Sequence, residues 1–272
     1  MRTLLRKLWH DFIGVLLPRT CIVCGRPLVP TENVCCTHCT LEMPLTRYKA
    51  CEGNPIVRIF WGKIPIVRAN AFMEYQPHTN YARIITHLKY KNRPDIGIYL
   101  GRLIAEDLLR TDFFKDIDVI IPLPLAKSRQ FSRGYNQSEC IAKGIQQLVN
   151  IPIETTHIRR SRANKKQTQT HKHLRHENVK DIFSLTVPCE ADTKVSLTPL
   201  EMMNPSPVTT PSHHPLANKH VLLLDDIITT GASLLSCGKV LSQIPGIRIS
   251  ILTAGVAGHH RWGPRLPEEG RY

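Results

Sequence analysis

One stretch restricts the fold of this chain more than any other: Val221-Leu222-Leu223-Leu224-Asp225-Asp226-Ile227-Ile228-Thr229-Thr230-Gly231-Ala232-Ser233. The apolar run Val221–Leu224 suits a strand buried on both faces, as in parallel sheets. Two carboxylates stand at its C-terminal end, and a Thr-Thr-Gly-Ala-Ser turn then opens a helix marked by Leu234, Cys237, Leu241 and Ile244. In open α/β sheets, ligands bind outside the carboxyl ends of the strands. Gly231 lets the backbone approach an anion, the amides at the helix start point toward it, and the Thr and Ser hydroxyls add donors for a phosphate monoester. Charge alone keeps Asp225 and Asp226 from a phosphate, so they are expected to accept hydrogen bonds from ligand hydroxyls such as those of a ribose. The ligand implied is a ribose phosphate. A Walker-type site is excluded, because no G-x-x-x-x-G-K-[ST] occurs in the chain.

The surrounding pattern supplies a sheet for that strand. Val67, Ala69, Ala71 and Met73 alternate with Arg68, Asn70, Phe72 and Glu74 as a strand would, and Tyr81, Ile84, Ile85 and Leu88 take helical spacing. A second helix carries Leu100, Leu103, Ile104 and Leu108. The strand Val119-Ile120-Ile121 is broken by Pro122 and Pro124, and a basic loop then runs into a helix beginning near Asn136, which has capping-box spacing to Glu139. The stretch RISILTAGVA reads as a last strand. Strands alternating with helices imply an α/β fold with a parallel, doubly wound sheet, assigned to residues 56–258. Within it, residues 159–180 are strongly basic and nearly free of apolar side chains, which reads as a mobile loop or solvated arm. Residues 186–219 are dense in Pro, Ser and Thr and read as a disordered insertion, and residues 259–272 as a weakly ordered tail.

Residues 1–55 form a separate unit in this reading, an amphipathic helix followed by a four-cysteine module. Leu5, Leu8, Trp9, Phe12, Ile13 and Leu16 make the helical stripe. The apolar run there is interrupted by His10 and Asp11 and lacks a small-x-small cleavage site, so it is read as a helix packed on the protein rather than a signal peptide. Cys21-x-x-Cys24 and Cys36-x-x-Cys39, eleven residues apart, can converge through four thiolates on one structural Zn(II). Cys35 could replace Cys36, and His38 or Cys51 could supply a ligand, but only Cys36 preserves the x-x spacing.

Charge and cysteine usage bear on partners and compartment. Lys and Arg number 36 against 22 Asp and Glu, a net +14 that concentrates polyanions at the surface. Phosphate-bearing partners are expected, among them single-stranded DNA, although with 6% aromatic residues backbone electrostatics would outweigh stacking. Nine cysteines, four of them in a metal-like pattern, point to a reducing compartment and a cytoplasmic protein, and no apolar segment is long enough for a membrane span.

The string 221–233 resembles the 5-phosphoribosyl 1-diphosphate (PRPP) binding signature of type I phosphoribosyltransferases. Taken with the four-cysteine module, His87-Leu88-Lys89-Tyr90, Ile121-Pro122-Leu123-Pro124 leading to Arg133-Gly134-Tyr135-Asn136-Gln137, and Gln167-Thr168 ahead of Arg175-x-x-Asn178-Val179, the chain resembles the ComF family over residues 15–258. ComF proteins are phosphoribosyltransferase-like, carry an N-terminal zinc module and are associated with DNA uptake in bacterial natural transformation. The resemblance implies PRPP bound with Mg(II), that metal being chelated largely by the ligand. Asp225 and Asp226 would hold the ribose hydroxyls. Thr229, Thr230, Gly231, Ala232 and Ser233 would cradle the 5-phosphate, and Lys127, Arg129 and Arg133 are the candidate cations for the pyrophosphate. It further implies competence proteins as partners and phosphoribosyl transfer as the activity, with single-stranded-DNA handling without catalysis as the alternative.

Overall fold

The computed structural model describes residues 19–48, 54–160, 182–186 and 214–258. In chain order the elements are α1 (Thr37–Leu41), α2 (Pro55–Phe60), β1 (Ala69–Tyr75), α3 (Ala82–Tyr90), α4 (Pro94–Leu108), a 3-10 turn at Asp112–Phe114, β2 (Val119–Pro122), α5 (Lys127–Arg133), α6 (Gln137–Val149), β3 (Ile158–Arg160), β4 (Phe183–Leu185), β5 (His220–Ile228), α7 (Ala232–Leu241) and β6 (Arg248–Ala257). Four strands form one parallel sheet in the order β1-β6-β5-β2, and β3 and β4 make a separate antiparallel pair. The N-terminal stripe of residues 1–17, Cys51, Arg175 with most of the basic arm, residues 187–213 and the tail lie outside the described residues.

The sheet is covered on both faces, which gives the doubly wound α/β architecture. Side chains alternate along a strand. Leu222, Leu224, Ile120, Leu252 and Ala254 accordingly enter the core beneath α3, α4 and α6. Val221, Leu223, Val119, Ile121, Ile249 and Ile251 enter the core beneath α2 and α7, to which Ile158 and Phe183 of the small hairpin also belong. The alternation in β1 does not produce an inner and an outer face: Asn70 and Phe72 are buried along with Ala69, Ala71 and Met73, because helices lie on both sides.

Two local details position the site. Helices α4 and α6 approach until backbones touch: a Cβ at Gly101 would meet the Ile141 carbonyl oxygen at 2.1 Å, and one at Gly144 the Ile98 carbonyl oxygen at 2.2 Å. This contact sets α6 against the sheet, with its N-terminus, capped by the Asn136 side chain on the Ser138 amide, at the carboxyl end of the strands. Glu139 pairs with Lys143 at 2.7 Å and so supplies a helical ion pair at the expected capping-box position. The second detail corrects an expectation. The basic loop after β2 contains a helix, α5, bounded by Pro124 and by Gly134 in the left-handed conformation (φ 78°). No residue of α5 is buried, so it lacks the apolar stripe by which a helix is read from sequence.

The cysteine module packs on the α3 and α4 side. Cys21, Val23, Val34, Cys36 and Cys39 share a core with Phe72, Ile84, Ile85 and Leu100. The Tyr81 hydroxyl donates to the Cys39 carbonyl at 3.0 Å, and Thr40 and Tyr99 exchange a hydrogen bond at 2.6 Å between their hydroxyls. Of the range 186–219 read as an insertion, residues 214–219 are instead part of the packed structure: they form a turn whose Leu216 is buried in the core beneath α2 and α7, leading directly into β5.

Candidate ligand and metal sites

Asp225 and Asp226 sit within β5 rather than beyond it, because the strand continues to Ile228 alongside β6, with Asp225 opposite Thr253 and Ile227 opposite Gly255. Asp226 is buried and Asp225 half-buried. The Asp225 carboxylate accepts from the Ser138 hydroxyl at 3.2 Å and from the Asp226 amide at 2.8 Å, which ties it to the N-terminus of α6, where the helix dipole favours negative charge. Asp226 Oδ2 lies 3.0 Å from the Lys89 ammonium, contributed by the last turn of α3. Burial first, and then the neighbouring Asp226 charge, push the Asp225 carboxyl up to about 7, against the opposing pull of the Asp226 amide, Lys89 and Ser138.

Beyond the strand the chain turns through the exposed Thr229 and Thr230 into α7. Gly231 is the N-cap residue, in the left-handed region at φ 74°, ψ 2°. Two separate constraints exclude a side chain there: the backbone conformation, and the Ile59 side chain, whose Cγ2 would lie 2.6 Å from a Cβ. Ala232 and Ser233 follow in the first turn of α7, half-buried, and the Ala232 amide reaches the Thr230 hydroxyl at 3.4 Å. The turn therefore presents hydroxyls and a helix N-terminus next to the two carboxylates, an arrangement able to accept from a diol and donate to an anion.

The proposed cations divide. Lys127 and Arg129 are exposed on α5 and make no ion pair among the described residues. Arg133 is engaged, donating to Gln137 Oε1 at 2.8 Å with its guanidinium 5.3 Å from the centre of the Tyr90 ring. The loop that carries them is held at the strand ends, since the Leu123 amide donates to the Leu224 carbonyl at 2.7 Å and Asn136 Nδ2 to the Leu123 carbonyl at 3.1 Å. Three residues join the site that motif reading did not select: Lys89, Ser138 and Arg160. The Arg160 guanidinium stands 5.4 Å from the Phe183 ring centre and is pushed down by burial and by Arg129, and up by Asp225. Lys89 lay within the quoted His87–Tyr90 string and Arg160 within the basic stretch 159–180, whose first two residues, Arg159 and Arg160, belong to β3 and not to a mobile arm; Ser138 carries no signal in sequence.

In the cysteine module the sulfurs of Cys21, Cys24, Cys36 and Cys39 all lie within 4.8 Å of one another. Zn–S bonds of about 2.3 Å at tetrahedral angles place sulfurs about 3.8 Å apart, and Cys24 and Cys36 are separated by 3.8 Å. The set is thus fit to hold a zinc ion. Against the upward pull of burial, hydrogen bonds from Arg26, at 3.0 Å, and from the Cys39 amide hold the Cys36 thiol down at about 6. Cys35 takes no place in the cluster; burial pushes its thiol up to about 12, and His38 is exposed.

No protein-family model matches the chain. The DNA utilization protein YhgH of Escherichia coli (strain K12) is 25% identical over 224 residues, covering 81% of this chain and 83% of that protein. Competence protein F of Haemophilus influenzae is 29% identical over 168 residues, 59% of this chain and 61% of that protein. The chain is thus similar to proteins named for competence and for DNA utilization. Among solved structures, an adenine phosphoribosyltransferase matches at 16% identity and TM-score 0.32, over 71% of this chain and 88% of that one. An allosteric regulatory enzyme of purine biosynthesis matches at 16% identity and TM-score 0.33, over 61% of this chain and 29% of that one. Neither likeness carries weight for the fold, which stands on sheet order and crossovers. Among the described residues, no helix is long and apolar enough to cross a membrane.

Two outcomes follow from this geometry. Elemental analysis of the purified protein should find one zinc per chain, lost with a lowered melting temperature in Cys36→Ser; full zinc retention in that variant would transfer the ligand role to another group. A carboxyl raised to about 7 keeps its proton in the folded chain where the unfolded chain has lost it, so its contribution makes stability fall as pH rises from about 4 to about 7. Asp225→Asn should therefore flatten the pH dependence of denaturant midpoints in that window, and an unchanged slope would contradict the assignment.

Proposed function

We propose that this chain is a ComF-type protein that binds PRPP with Mg(II) at the β5–α7 turn and acts as a phosphoribosyltransferase. The observation that carries the reading is the juxtaposition, at one strand end, of the Asp225–Asp226 pair with the left-handed Gly231 turn and the N-terminus of α7. In this reading Asp225 and Asp226 accept from the ribose hydroxyls, and Thr229, Thr230, Gly231, Ala232 and Ser233 surround the 5-phosphate. Lys127, Arg129 and Arg133 face the diphosphate from α5, with Arg160 on the other side of Asp225. Mg(II), chelated by the ligand, supplies further neutralisation of the diphosphate. Displacement of that group from the anomeric carbon passes through an oxocarbenium-like state, so the work of these residues is to hold the ribose and stabilise the departing anion. The four-cysteine module then serves as a structural zinc site, and thiolate ligation suits the reducing conditions of a cytoplasmic location.

A second reading, single-stranded-DNA handling, is favoured by α5. Phe131 is 94% exposed there, beside Lys127 and Arg129, and Tyr90 is exposed under Arg133. Cations that follow a backbone and rings that stack on bases are the two components of sequence-tolerant single-strand binding. The names of the relatives, competence protein F and DNA utilization protein, support a role near DNA. The two readings are compatible, since a bound ribose phosphate could occupy cations that DNA would otherwise use.

Calorimetric titration with PRPP and Mg(II) tests the first reading. Saturable binding is expected for the intact chain and its loss in Asp225→Asn/Asp226→Asn; absence of binding by the intact chain would refute it. For the second, affinity for single-stranded DNA should fall steeply with salt and drop by about 1–3 kcal/mol in Phe131→Ala. Affinity insensitive to salt would remove that reading.

A further inference from the structure

Lys89 is the one described cation paired to the Asp225–Asp226 unit, and the two partners lie 137 positions apart in the chain. Its helix is firmly seated. Ile84, Ile85 and Leu88 are buried, and the Tyr135 hydroxyl donates to the Leu88 carbonyl at the end of α3. The ammonium is thereby delivered to a fixed point, 3.0 Å from Asp226 Oδ2, with both side chains largely buried. The surroundings of the carboxylate pair are otherwise Ser138 from α6, Arg160 from β3 with Arg129 of α5 behind it, and the Cys237 thiol of α7.

Two adjacent carboxylates repel when both are ionised, and a partly buried carboxylate without a counter-charge takes up a proton. A protonated carboxyl donates one hydrogen bond and loses part of its capacity to accept from a diol. Lys89 pairs with Asp226 through Oδ2, so Oδ1 remains for a ligand hydroxyl. We propose that Lys89 is a positioning residue of this site, fixing the orientation of Asp226 so that the carboxylate accepts a ribose hydroxyl, and thus acting on the ribose end of the ligand and not on its diphosphate. The proposal rests on the ribose-phosphate reading above and adds the residue that holds Asp226 in place.

The experiment compares wild type, Lys89→Met, Lys89→Arg, Asp226→Asn and the Lys89→Met/Asp226→Asn double variant. Binding of PRPP with Mg(II) and of ribose 5-phosphate, which lacks the diphosphate, is measured by calorimetry across pH. Lys89→Met is expected to weaken both ligands by the same factor, about tenfold, and to have no further effect in the Asp226→Asn background. Lys89→Arg, which keeps a cation beside Asp226, should recover most of the lost affinity. A purely structural lysine would lower the melting temperature and weaken binding just as much in the Asp226→Asn background. If Lys89→Met does not fold, Lys89→Gln carries the same comparison. Weakening confined to PRPP would overturn the proposal in favour of direct diphosphate contact, and an undiminished effect in the Asp226→Asn background would overturn it by placing the action elsewhere. Wild-type protein that binds neither ligand would refute the ribose-phosphate reading itself, and the proposal with it.

Discussion

Burial of β5 on both faces and along both edges is the constraint on which the rest of the structure depends. A strand with β2 on one side and β6 on the other has its backbone groups satisfied by neighbours, and its side chains must be apolar until it leaves the sheet. Val221 through Leu224 meet that requirement with essentially no exposure. Asp225 and Asp226 interrupt it while the strand is still paired to β6, so two charges are carried into a partly dry environment. Their compensation has to come from other elements, and it does: a hydroxyl from α6 and an ammonium from α3 reach the pair, and the Arg160 guanidinium of β3 adds a favourable charge at longer range.

That convergence explains the placement of the helices around the sheet. The close α4–α6 crossing at Gly101 and Gly144 brings the capped end of α6 to the strand ends. The seating of α3 by Ile84, Ile85 and Leu88 does the same for Lys89, and the cysteine module braces the outer surface of that layer through Tyr81 and Thr40. A metal in the four-thiolate cluster would therefore stabilise, at a distance, the layer that supplies the counter-charge to Asp226.

Most of the architecture was legible because burial on two faces leaves a simple imprint. Continuous apolar runs gave β2, β5 and β6, and apolar spacing of three and four gave α3, α4 and α7. The cysteine quartet was legible from its spacing, and the structure separates Cys36 from Cys35 by geometry that sequence left open. The helix α5 was not legible, since a helix that buries nothing carries no periodic signal. In β1 the strand was legible from alternation, but not that both of its faces are covered: Asn70 is buried, its side-chain oxygen accepting from the Ala71 amide.

By itself the sequence determined the α/β class, the strand end with its paired carboxylates and glycine turn, and the four thiol ligands, because each depends on residues close together in the chain. Only the tertiary structure decided which groups share the site with those carboxylates. Lys89 is 137 positions from Asp226 and Ser138 is 87 from Asp225, and no local rule pairs residues so far apart. Their meeting is set by how helices pack on a sheet, where side-chain volumes and close backbone approach select one arrangement from many with the same hydrophobic pattern.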